Sequence, residues 1–181
     1  MAFPRPQKKH YSEDELYEYA VSALARRMRT VAELKRLFRG RVEDADSEYG
    51  RTLIELVIRR LKDRGYLNDA KYAAYFSSLR RDNQKLGRRR VATDLKIKGV
   101  HGDVIDKAVD AAFDGVSEEK QAREYLRKKR MVKPQKGDQK ATARIFRQLA
   151  RAGFGAKTIF TILKNWDVDE EILSELESEA G

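Results

Sequence analysis

Residues 90–100 read RVATDLKIKGV and residues 144–154 read RIFRQLARAGF, so one pattern occurs twice at an offset of 54 residues. In both copies, apolar residues one helical turn apart precede a glycine that is followed by another apolar residue. This pattern predicts a helix that ends at a left-handed glycine, with a hydrophobic contact just beyond it. We therefore expect positive φ angles at Gly99 and Gly153, and a fold built from repeated helical units.

The same helical spacing extends outward from these two segments over most of the chain. Ser12 and Thr30 each precede a glutamate by three residues, which is the capping-box signature of a helix start. Apolar stripes then predict three short helices before Gly65, and similar stripes return after Asn68 and again after Ser117. A period near 50 residues is typical of tandem helical repeats, in which neighbouring units bury each other's apolar faces.

We therefore predict an all-α fold, an elongated tandem array of three three-helix repeats with a short C-terminal acidic helix. A single globular helical bundle is the alternative architecture. The predicted segments are a basic flexible tail (1–11), the first repeat (12–67), the second repeat (68–115), the third repeat (116–166) and an acidic C-terminal helix or tail (167–181).

The composition is strongly basic and contains no cysteine, which restricts the kinds of partner that the protein can bind and the kinds of site that it can form. Lys and Arg number 39 against 29 Asp and Glu, giving a net charge of +10. Such a balance favours polyanions or acidic protein surfaces as partners. The chain has no cysteine, which excludes disulfides, thiolate metal sites and a cysteine nucleophile. We find no apolar run of membrane-spanning length and no signal-peptide pattern, so we expect a cytoplasmic protein with no membrane contact.

Positive charge is concentrated in two stretches. Residues 79–98 contain eight basic and two acidic residues, and residues 120–151 contain twelve basic and two acidic residues. Such concentration costs self-repulsion that a partner's carboxylates or phosphates would offset. The candidate partner- or DNA-binding residues are Arg80, Arg81, Arg88, Arg89, Arg90, Lys96, Lys98, Arg127, Lys128, Lys129, Arg130, Arg144 and Arg147.

Charge alone does not distinguish an acidic protein groove from a nucleic-acid backbone, because the arginine fork suits carboxylate and phosphate equally. Tyr72 and Phe76 lie at core spacing, whereas proteins that bind single strands expose aromatic side chains along a basic groove. We therefore favour a protein groove, with DNA second. The alternative is a sequence-independent DNA- or RNA-binding helical module that acts directly on nucleic acid.

Catalysis has little support in the sequence. There is no glycine-rich phosphate loop and no Gly-x-Ser-x-Gly motif, and His10 and His101 are isolated from each other and from carboxylate clusters. We predict no catalytic, cofactor-binding or metal-binding residues, and we expect a nuclease or nucleotide hydrolase least of all.

Three motifs together resemble a known family. The stretch GYLNDAKYAAYF at residues 65–76 is followed by GRRR at residues 87–90 and LKIKGV at residues 95–100. This order closely resembles the central signature of the RecX family, bacterial modulators of the RecA recombinase, and a weaker resemblance covers residues 14–165. Two departures are an acidic loop at residues 39–49 and the acidic segment after Asp167.

The resemblance implies three tandem three-helix repeats and a non-catalytic protein without cofactors. It also implies binding in the groove of the RecA filament on DNA, with DNA itself contacted weakly or through the filament. We expect a monomer that modulates the filament, by inhibiting its growth, ATP hydrolysis and strand exchange.

Overall fold

The structure, a computed structural model, describes residues 8–180, and over these residues it is built from helices. Apart from an isolated bridge between Lys9 and Val42, this part of the chain contains no β-structure. The all-α prediction is confirmed, and so is the short acidic helix at the C-terminal end. The helices are α1 (Glu13–Arg26), α2 (Val31–Arg39), α3 (Glu48–Asp63), α4 (Asp69–Gln84), α5 (Arg88–Ile97), α6 (Gly102–Phe113), α7 (Glu118–Lys128), α8 (Gln139–Arg151), α9 (Ala156–Asn165) and α10 (Glu170–Ala180).

Local sequence signals determine several of the helix ends. Ser12 and Thr30 form the two capping boxes that the sequence predicts, each accepting a hydrogen bond from the backbone N–H of the glutamate three residues later. Gly99 and Gly153 have φ angles of 78° and 91°, which confirms the expected left-handed conformation.

The helices form two compact units. The first consists of the chain up to Ala73 together with Leu95–Ile105. Leu34, Phe38 and Leu61, from α2 and α3, are fully buried in its core. Because these residues recur at helical spacing, their helices bury one apolar face and leave charged residues outside.

The residues just before α1 also belong to the first unit. Lys9 donates a backbone hydrogen bond to the Arg41 carbonyl and accepts one from the Glu43 N–H, both at 3.0 Å, and Tyr11 is buried. The predicted flexible tail (1–11) is therefore wrong at Lys9 and Tyr11, because backbone pairing and burial hold them in place. Residues 1–7 lie outside the described residues.

The second unit consists of Ala74–Asp94 and the chain from Asp106 onward. Its core is formed mainly by α7, α8 and α9, with Leu149 and Ile162 fully buried. Helix α10 buries Leu173 and Leu176 in the same core, so the acidic segment packs against this unit through its apolar side.

The three helices of the predicted second repeat, α4, α5 and α6, each contribute residues to both compact units. The sequence repeat and the compact unit are therefore different divisions of this chain. Tyr72 and Phe76 of α4 are buried as predicted, whereas Tyr75 is 58% exposed. None of the helices between residues 8 and 180 combines the length and apolar character that crossing a bilayer requires.

Candidate partner-binding surface

The first turn of α5 presents three consecutive arginines, Arg88, Arg89 and Arg90, all of them exposed. The end of α8 holds this turn in place. The Gly87 N–H donates to the Ala152 carbonyl at 2.8 Å, and the Arg89 N–H donates to the Gly153 carbonyl at 3.3 Å. Free N–H groups at the start of one helix are thus satisfied by free carbonyls at the end of another.

Positive charge at this position opposes the helix dipole, whose positive end lies at the N-terminus. No acidic residue occupies the first turn of α5. Asp110 pairs with Arg88, and Asp94 accepts a hydrogen bond from Arg90 at 2.9 Å. Arg89 has no carboxylate partner among the described residues, so the first turn keeps an uncompensated cation.

Arg80 and Arg81, next to each other on α4, are placed differently. The Arg80 guanidinium lies 3.7 Å from Asp94 and over the Phe76 ring at 4.8 Å, on the same side as Arg90. Arg81 binds Asp82 at 2.7 Å and also donates to the Ala112 carbonyl at the end of α6. The hydrogen bond from Arg81 lowers the pKa of Asp82. Arg81 therefore serves the fold, while Arg80 lies beside Arg90 and Asp94.

A second basic cluster occupies the C-terminal end of α7, where cations are favoured by the helix dipole. Its four members, and two further arginines on α8, are all exposed. They are Arg127, Lys128, Lys129, Arg130, Arg144 and Arg147.

Two contacts tie the α7 cluster to the end of α4. Lys128 donates to the Asn83 carbonyl, and Lys85 pairs with Glu124 at 2.8 Å. The hydrogen bond from Lys85 lowers the pKa of Glu124. Arg130 adopts a left-handed conformation with φ of 54°. The α5 and α7 clusters thus belong to one compact unit, and their union into one continuous basic surface stays a prediction.

The two remaining candidates lie in the first unit. Lys96 is exposed, whereas Lys98 is half-buried and donates to Glu33 at 2.9 Å. That hydrogen bond raises the pKa of Lys98. Because the contact joins the end of α5 to the start of α2, Lys98 stabilises the fold, and a partner contact for it stays a prediction.

Sequence reasoning missed Asp94 and Arg151 as members of this region. Asp94 lies between Arg80 and Arg90, and the Arg151 carbonyl accepts from Arg90 at 3.5 Å. Arg151 belongs to the second basic stretch, but no local signal places it beside a residue 61 positions earlier. The repeat offered one hint, since Asp94 and Gln148 occupy equivalent positions 54 residues apart.

Comparison with known proteins gives consistent results over most of the chain. Residues 68–109, which contain the α5 arginines, match the family model described as RecX, second three-helix domain. The regulatory protein RecX of Deinococcus radiodurans is 34% identical over 168 residues, which is 90% of this chain and 75% of that protein. The regulatory protein RecX of Mycobacterium marinum is 34% identical over 156 residues, covering 85% and 86% of the two chains.

A solved structure shares the fold. The crystal structure of RecX from Lactobacillus salivarius superposes with a TM-score of 0.62 over 86% of this chain and 96% of that one, at 18% sequence identity. At this level of identity the likeness supports the fold alone.

Proposed function

Because this chain belongs to the RecX family of regulatory proteins, we propose that it regulates the RecA recombinase by binding in the groove of the RecA filament on DNA. The proposed effect is inhibition of filament growth, ATP hydrolysis and strand exchange, without catalysis by this chain. The proposed site of action is the cytoplasm, where the filament assembles, and the active form is a monomer.

The observation that carries this proposal is the arginine triplet of α5. Arg88, Arg89 and Arg90 are exposed at the end of a helix where positive charge is unfavourable, inside the segment that matches the family model. An exposed cation opposing a helix dipole costs about 0.3–1 kcal/mol. A partner that supplies carboxylates or phosphates would offset this cost, and several charge-assisted contacts would form together.

The test is ATP hydrolysis by the recombinase on single-stranded DNA, measured with the wild type and with charge-reversed variants. We expect the triple variant Arg88→Glu, Arg89→Glu, Arg90→Glu to lose regulation. A matched control reverses Arg51, Arg59 and Lys62, which are exposed on α3 and carry the same total charge. The control should regulate as the wild type does.

The single variant Arg89→Glu separates binding from folding. It leaves the pairs of Arg88 and Arg90 with their carboxylates intact, and it places a negative charge where the helix dipole favours one. We expect unchanged or higher stability together with weaker regulation. Regulation by Arg89→Glu and by the triple variant at the wild-type level would refute the proposal.

Binding to naked DNA distinguishes this function from a direct nucleic-acid module. A filament regulator should bind naked strands weakly, with a steep dependence on salt, and the assembled filament tightly. Equal affinity for both, together with no effect of charge reversal on ATP hydrolysis, would favour the nucleic-acid module.

A further inference from the structure

A polar pocket opens in the second unit where side chains of α4, α5, α7 and α8 meet. Its volume is about 210 Å³, and three arginines line it: Arg80, Arg90 and Arg151. Asp94 is the one acidic side chain of this lining among the described residues. The pocket therefore holds an excess of two positive charges in a concave space.

Asp94 orients Arg80 and Arg90 but engages only some of their N–H donors. One carboxylate oxygen accepts from Arg90 Nε at 2.9 Å, and the other lies 3.7 Å from Arg80 Nη2. The Asp94 side chain is only 11% exposed, so it fixes both guanidinium groups from behind. Each guanidinium carries five N–H donors, and the Arg151 guanidinium makes no hydrogen bond or ion pair with any described residue. Several N–H groups consequently remain free to bind an anion.

Two uncharged side chains of the lining, Tyr125 and Gln148, add hydrogen-bond donors that packing holds in place. Gln148 Nε2 donates to the Tyr125 hydroxyl at 2.7 Å, and the Tyr125 ring packs edge-on against Phe154 with centroids 5.8 Å apart. Tyr125 is 4% exposed, so its ring is fixed by packing. Because the hydroxyl oxygen accepts from Gln148, its own O–H stays available as a donor.

We propose that this pocket binds one phosphate group, supplied either by a nucleic-acid backbone or by a nucleotide. Guanidinium groups bind phosphate through paired, charge-assisted hydrogen bonds, and three of them surround this space. At about 30 Å³ per water, the volume accommodates roughly seven waters, which is room for a phosphate that keeps part of its hydration. The proposal does not depend on the recombinase, since the isolated protein suffices to test it.

The direct test is a titration of the full chain with inorganic pyrophosphate, followed by amide chemical shifts at fixed ionic strength. We expect saturable binding with shifts around Arg90, Tyr125 and Arg151. Arg151→Gln should weaken binding about tenfold, the effect of losing one charged hydrogen bond. The matched control is Arg123→Gln, which removes the same charge from an α7 arginine paired with Glu119 outside the pocket and should leave the affinity within twofold.

A second variant tests the pocket without changing its charge. Tyr125→Phe removes only the hydroxyl donor and should weaken pyrophosphate binding several-fold while thermal melting confirms a folded protein. Absence of saturable pyrophosphate binding, or equal weakening by Arg151→Gln and Arg123→Gln, would overturn the proposal.

Competition then identifies the source of the phosphate. Displacement of pyrophosphate by a short oligothymidylate, but not by ATP, assigns the pocket to a nucleic-acid backbone, and the converse assigns it to a nucleotide. Either result supports the site when Arg151→Gln weakens the competitor in parallel. Failure of both competitors to displace pyrophosphate would overturn it.

Discussion

Substituting alanine for Gly153 tests whether the end of α8 touches the start of α5, the contact on which the α5 arginines depend. Gly153 has a φ of 91°, and a Cβ there would overlap the backbone N, the Cα and the Cβ of Arg90. These three atoms belong to or directly follow the backbone at the start of a helix, and the hydrogen bonds of Gly87 and Arg89 to the same α8 end hold this backbone. The substitution therefore forces two elements apart.

Two costs add at this position. The left-handed conformation costs a residue with a Cβ about 1 kcal/mol or slightly more. Insertion of a methyl group into a filled contact costs about 1–3 kcal/mol. We expect Gly153→Ala to lower the free energy of unfolding by about 3 kcal/mol. The sequence pattern alone predicts only the first cost.

Gly115→Ala isolates the conformational cost, because Gly115 has a φ of 65° and no atom lies within 4 Å of the position of its Cβ. It should lower stability by about 1 kcal/mol. Urea titrations of both variants give the comparison directly. Equal losses for Gly153→Ala and Gly115→Ala would show that α8 and α5 do not approach closely, and would refute this account of the arginine turn.

Two further predictions concern the start of α2. Thr30 is fully buried, and its hydroxyl accepts from the Glu33 N–H and donates to the Lys98 carbonyl at 2.7 Å. In urea titrations, Thr30→Val should lower the free energy of unfolding by about 2–3 kcal/mol, whereas Thr30→Ser, which keeps both hydrogen bonds, should lower it by less than about 1 kcal/mol. Equal losses for the two variants would contradict this role of the hydroxyl. Burial raises the pKa of Glu33, but hydrogen bonds from Lys98 and the Thr30 backbone outweigh it and leave the pKa below its ordinary value of 4.5. The ionised Glu33 thus contributes stability that is present above pH 4.5 and is lost as the pH falls through its lowered pKa. The difference in unfolding free energy between the wild type and Glu33→Gln, about 1 kcal/mol, should therefore shrink on acidification. A difference that stays constant with pH would contradict the prediction.

The sequence predicts those features that depend on neighbours a few positions away. The capping boxes at Ser12 and Thr30 and the left-handed glycines at positions 99 and 153 depend on contacts within one helical turn. The burial of Tyr72 and Phe76 follows from helical spacing in the same way.

Such local patterns do not predict contacts between residues that are far apart in the sequence. Arg80 and Arg81 look equivalent in sequence, yet Arg81 binds the Ala112 carbonyl while Arg80 lies in the polar pocket. The hydroxyl of Thr30 also binds a carbonyl 68 residues away, in addition to its predicted capping role. The sequence composition indicates which stretches accumulate positive charge, but helix packing determines which of these Lys and Arg side chains pair with carboxylates.

The division of α4, α5 and α6 between two compact units bears on how such a protein can evolve. Tandem duplication would copy one predicted repeat, and that stretch does not coincide with either compact unit. The Val31 N–H at the start of α2 donates to Asp69 at the start of α4, and Thr30 donates to the Lys98 carbonyl just after α5. Helices of the predicted first repeat thus bind partners in the predicted second one. Excision of the middle copy would remove atoms that both units need. We therefore expect a chain without residues 68–115 to lose contacts on which its folding depends, so that folding as well as function constrains the number of predicted repeats.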